Sequence, residues 1–151
     1  MSEDGERELW LQHRAGQDKY TYFLLAITAS AIAFAVQKTS DATFSWTLAP
    51  LGLAVLAWGG SFYCGCKNLI WVQTALMANY NLLQLRRGAH PQQPNYPALS
   101  AAAIQGTHSA LSTNVDRAQS YALSQFRLAI AGALLFLGWH VLEIYARTAA
   151  A

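Results

Sequence analysis

At 151 residues the chain has room for one compact domain. Hydrophobic residues make up 54% and charged residues 12%, about half the charged share usual in soluble domains. A formal charge of +2, with no basic cluster larger than Arg86-Arg87, excludes a nucleic-acid footprint. Two cysteines one residue apart, Cys64 and Cys66, exclude a disulfide framework.

Residues 1–19 hold five acids (Glu3, Asp4, Glu6, Glu8, Asp18) and three bases (Arg7, Arg14, Lys19). The first uncharged run follows, Tyr20 to Gln37. As a helix it rises about 27 Å, close to the bilayer hydrocarbon thickness of about 30 Å. Ala33-Phe34-Ala35 resembles a signal-peptide cleavage site, but secretory leaders begin with a positive segment, and this acidic start predicts an uncleaved anchor. A second uncharged run covers Ala42 to Cys66, most apolar from Leu48 to Tyr63, with Pro50 placed where a first helical turn tolerates it. The third, Leu128 to Ala146, is interrupted only by His140 and Glu143. The expected fold class is therefore an all-α integral membrane protein with three transmembrane helices, at 20–37, 47–66 and 127–146.

Orientation follows from Lys and Arg, since these set membrane topology and acids contribute little. Three lie in the tail, one (Lys38) in 38–47, five (Lys67, Arg86, Arg87, Arg117, Arg127) in 67–127, and Arg147 alone follows the third run. The N-terminus and the central segment are expected in the cytoplasm, and the C-terminus on the far, periplasmic side. Aromatic residues agree: Tyr20 and Tyr22 fall at the inner boundary, and Phe44, Trp46, Trp139 and Tyr145 at the outer one. Trp58 falls mid-span, as a packing or lipid-facing residue.

Segment 67–126 reads as a cytoplasmic helical hairpin extending spans two and three. Its first arm, Asn68 to Arg87, has apolar residues at 69, 72, 76 and 83, which predicts one apolar face that meets either the other arm or another subunit, while Gln73, Asn79, Asn81 and Gln84 make it too polar for a fourth span. Those amides form either a solvated surface or a contact for a partner helix. Arg86 and Arg87 suit a helix C-terminus, Gly88 a stop, and the proline-punctuated stretch His90 to Pro97 a turn, the whole break covering 88–97. In the second arm Ile104, His108, Leu111, Val115, Ala118 and Ala122 recur at coiled-coil steps, with Gly106 a possible interruption.

His140 and Glu143 share one face of the third span, and ionisable residues at such depth raise a pore or proton path as a hypothesis. Arg147, four residues beyond Glu143, offers a structural ion pair instead. Ala57, Ser61 and Gly65 form a small-residue row on span two that permits close helix packing, within one chain or between copies; Ala29/Ala33 and Ala129/Ala133 repeat the spacing. Cys64 and Cys66 could join His13 or His108 at a metal, but no second pair completes a ligand set, and buried thiols are the default. No hydrolase, nucleotide-binding, zinc-protease or dithiol motif occurs. Neither an enzyme nor a cofactor is expected.

The stretches Trp10-Leu11-Gln12-His13-Arg14-Ala15-Gly16-Gln17-Asp18-Lys19-Tyr20 and Trp139-His140-Val141-Leu142-Glu143-Ile144-Tyr145 resemble segments of small uncharacterised bacterial inner-membrane proteins with three helices. That resemblance implies a bacterial inner-membrane location and no activity. Two spans with a cytoplasmic helical extension are also similar in layout to the SLATT effectors of prokaryotic defence, which implies an oligomeric pore; the third span departs from that layout. The expected partners are the lipid bilayer and either further copies of the chain, as a homo-oligomer or pore, or a larger membrane complex that it serves as an accessory subunit.

Overall fold

The computed structural model describes residues 3–39 and 46–149, with side chains described within 19–39 and 46–148. Among the described residues all regular structure is helical. Helix α1 covers Glu3–Lys38, a short 3-10 turn covers Trp46–Leu48, α2 covers Ala49–Arg87 and α3 covers Pro97–Ala149. All three α-helices are long and apolar enough to cross a membrane, within Lys19–Lys38, Trp46–Arg87 and Pro97–Thr148. The acidic stretch before Tyr20 is itself helical from Glu3 and continues into the first apolar run.

Prolines and one glycine set the boundaries. Pro50 lies in the first turn of α2 and Pro97 opens α3, positions where a missing N–H leaves no helical bond unmade. At the end of α2, Gly88 adopts φ +70°. Its N–H donates to Leu85 O (3.2 Å) and Ala89 N–H donates to Gln84 O (3.0 Å). This paired closure satisfies helix-end carbonyls and requires the left-handed conformation that glycine alone adopts freely. Beyond it, Gln93 N–H donates to His90 O, Gln92 N–H to His90 Nδ1, and the Gln93 amide to Ser100 Oγ (2.6 Å), so the proline turn is internally bonded.

The chain divides into two compact units. The first joins Met1–Gly65 with Leu123–Ala151. Its buried positions step by threes, fours and sevens: Thr21, Leu24, Thr28 and Ala35 on α1; Leu51, Ala54, Trp58, Ser61 and Gly65 on α2; Gln125, Gly132 and Trp139 on α3. That is the spacing of coiled-coil seams. Ala35, Leu51, Ala54, Trp58 and Trp139 form its apolar core. Phe136 packs between the two indoles, with ring centroids 5.8 Å from Trp58 and 5.6 Å from Trp139. Large apolar side chains also cover the outside, among them Phe23, Ile27, Leu53, Leu56, Leu134, Leu137 and Val141.

Burial sharpens two aromatic assignments. Trp58 is a core residue, and Trp139, expected at an outer boundary, is buried in the same cluster because Phe136 and the α2 seam enclose it. Tyr20, Tyr22, Trp46 and Tyr145 are exposed; Phe44 lies outside the described residues.

The second unit, Cys66–Ala122, is a two-armed hairpin. Asn68 Nδ2 donates to Ala118 O (2.7 Å), and the Arg117 guanidinium lies 4.6 Å from the centroid of the Trp71 ring. The arms therefore pack on each other. The seam differs from the hydropathy pattern: Asn68, Ala75 and Leu82 are buried and Val72 half-buried, while Leu76 and Leu83 are exposed. On α3, Ile104, Leu111 and Ala118 turn inward as the coiled-coil spacing predicts, but Thr107 and Asn114 take the intervening places assigned to the exposed His108 and Val115. Tyr121 shares the next step with Ala122, and Gly106 does not interrupt the helix. The physical reason lies in the seam's composition. Small and amide side chains allow close approach and bond across it, so the most apolar face of the first arm is not the packed one.

Candidate functional site

In the first unit the buried polar groups form an internal seam. Gln125 is 1% exposed; its Nε2 donates to Thr21 O (3.4 Å), and Ser61 Oγ donates to its backbone carbonyl (2.7 Å). A Cβ on Gly65 would lie 2.6 Å from Gln125 Nε2 and 2.7 Å from Leu25 Cδ2. Gly65 is thus the gap into which the Gln125 amide fits. Thr28, fully buried, donates back to Leu24 O (2.8 Å) within its own helix. Trp58 Nε1 donates to Ala129 O (3.3 Å), and a Cβ on Gly132 would lie 2.5 Å from that same nitrogen. Polar side chains bonded to backbone across helices hold such bundles where hydrophobic driving force is absent.

Two members of the small-residue row, Ser61 and Gly65, are consumed by these contacts, and Ala57 is half-buried beside them. Ala29, Ala33 and Ala133 face outward and Ala129 is half-buried. The row serves packing inside the chain.

At the far end of α3, Arg147 Nε donates to Glu143 Oε1 at 3.0 Å. His140 is exposed, its ring centroid 6.4 Å from that of Trp139. Among the described residues no hydrogen bond or ion pair joins His140 to Glu143. Cys64 and Cys66 are both half-buried. Two residues apart on a helix, they point about 200° away from each other. Among the described residues no three His, Cys, Asp or Glu side chains cluster as metal ligands. Trp139 Nε1 is, within the same residues, a buried donor without an acceptor.

No family model, curated protein or solved structure matches the chain.

The second unit offers a different feature. Along α2, outside the packed seam, Ile70, Leu76, Met77, Tyr80 and Leu83 are all exposed, Met77 by 61%. Gln73, Leu76, Met77 and Tyr80 line a shallow groove on this face. The Gln84 amide donates to Tyr80 Oη at 2.7 Å, fixing the phenol along the helix. The hydropathy pattern places Leu76 and Leu83 on one apolar face and leaves open whether that face meets the other arm or another subunit. It passes over Gln125, whose only sequence signal is a lone amide at the edge of the third apolar run.

Proposed function

We propose that this chain is a non-enzymatic, multi-pass membrane protein of a bacterial inner membrane that acts by self-association. Three features support insertion of the first unit. Its outer surface is mostly apolar, its buried polar side chains lie along the helix seam, and Gln125, Ser61, Thr28 and Trp58 donate to backbone carbonyls. Lipid offers no hydrogen bonds, so this inside-out distribution suits it. Length supports a second, aqueous unit: the 39 residues of α2 and 53 of α3 rise about 58 and 80 Å, well beyond a hydrocarbon layer of about 30 Å. The Lys and Arg distribution supports a cytoplasmic N-terminus and hairpin and a periplasmic C-terminus.

The observation that carries association is the exposed apolar face of the first hairpin arm. In water a contiguous face of this kind marks a contact surface. A pore has less support: the polar seam of the spans lies inside one chain, and Glu143 is paired with Arg147.

The test is the mass of the protein expressed alone and solubilised in mild detergent, by light scattering or native mass spectrometry. A discrete homo-oligomer is expected. A monomer that recovers a larger complex from native membranes would replace this reading with that of an accessory subunit.

A further inference from the structure

The exposed face of the first hairpin arm has an internal order that points to its occupant. Leu69, Leu76 and Leu83 recur every seven residues, and Gln73 and Tyr80 fall between them at steps of four and three. Leu69 is half-buried and the other four are exposed. This is a second heptad seam on α2, rotated away from the Asn68, Ala75 and Leu82 seam that packs on α3. From Asn68 to Leu85 the helix carries no Asp, Glu, Lys, Arg or His. A partner recognised by ion pairs finds no charge to hold there, whereas an identical face meets no like-charge repulsion over that stretch; Arg87, the seam's next step, meets its own copy only at the helix end.

We infer that this seam binds the same seam of a second copy, α2 against α2, parallel and in register. The inference deepens the self-association proposed above and rests on it. Two copies inserted with one topology in one membrane run their α2 helices in the same direction, so Leu76 meets Leu76, Tyr80 meets Tyr80 and Leu83 meets Leu83. Two heptads alone form a weak coiled coil, but packing on α3 has already formed this helix, which removes the cost of nucleating it. Gln73, the amide in an otherwise apolar-aromatic seam, penalises register slips, as single polar residues do at such positions.

The test uses the full chain with Cys64→Ser and Cys66→Ser, carrying Leu76→Cys, Leu83→Cys or Thr74→Cys, the last exposed but off the seam. Membrane vesicles are treated with a copper–phenanthroline oxidant, and the same variants are weighed by native mass spectrometry. Disulfide dimers at 76 and 83, at least fivefold above those at 74, are the expected result. Equal yields at all three positions, or none at 76 and 83 in a chain that weighs as an oligomer, would overturn the parallel seam and leave self-association standing. A monomer without crosslinks would overturn both.

Discussion

The two units of this chain use the same helices in opposite ways. In the unit of Met1–Gly65 and Leu123–Ala151, an amide, two hydroxyls and an indole N–H are turned inward and bonded to backbone, while leucines and phenylalanines cover the outside. In the hairpin, Cys66–Ala122, the seam is again narrow and partly polar, with Asn68 bonded to Ala118 O, yet its exposed Met77, Tyr80 and Leu83 accompany Gln73, Arg86 and Arg87. A predominantly apolar exterior suits a hydrocarbon solvent. One apolar stripe on an amide-rich helix suits water and a partner. The contrast shows that heptad spacing on a helix identifies what packs, and the chemistry of the opposite face identifies against which solvent.

Substitutions that touch only one unit test this contrast, and the largest effect is expected in the first. Gly132→Ala places a methyl 2.5 Å from the rigid Trp58 ring, and overpacking of this kind costs about 1–3 kcal/mol. The thermal midpoint of the solubilised protein should fall, while Gly138→Ala, which has open space and gains helix propensity, should leave it unchanged or raise it. Equal effects from the two would mean that Trp58 does not lock α2 to α3.

In the hairpin, Gly88→Ala forces a Cβ into φ +70°, a conformation that costs other residues about 1–2 kcal/mol. Hydrogen exchange of the amides at positions 88 and 89 should accelerate while the exchange of Ser61 and Thr28 stays as it was. Spread of the effect into those span residues would show that the units do not open separately.

The smallest effect is expected at the C-terminal end of α3. Glu143→Gln removes an exposed pair four residues apart, worth about 0.3–0.5 kcal/mol. Stability and oligomeric mass should barely change. A large loss of assembly or of ion conductance with this variant and with His140→Gln would return both residues to a functional path.

How far the sequence foretold this structure depended on which physical signal each feature left. Uncharged runs and prolines mark helices and breaks directly, and the three long helices, Pro50, Pro97 and the Gly88 closure all left such marks. The seams did not, because a hydropathy pattern follows leucine and valine. Here the inward positions are held by Ser61, Gly65, Asn68, Asn114 and Gln125, whose small size or amide bonds permit close helix contact. Val115 and Leu76 therefore lie outside, against the pattern. Glu143 and Arg147 announce their pairing by a four-residue interval, but no interval reveals that Gly65 and Gln125, far apart in the chain, fill one another's space.

The most direct test of the division between lipid and water is site-directed spin labelling of the cysteine-free chain in bilayers. Labels would stand at Leu134 in the first unit and at Leu99 in the hairpin, both exposed. Relaxation by oxygen should dominate at 134 and relaxation by a water-soluble nickel complex at 99. A label at 99 that favours oxygen as strongly as 134 would place the hairpin in lipid and contradict the account.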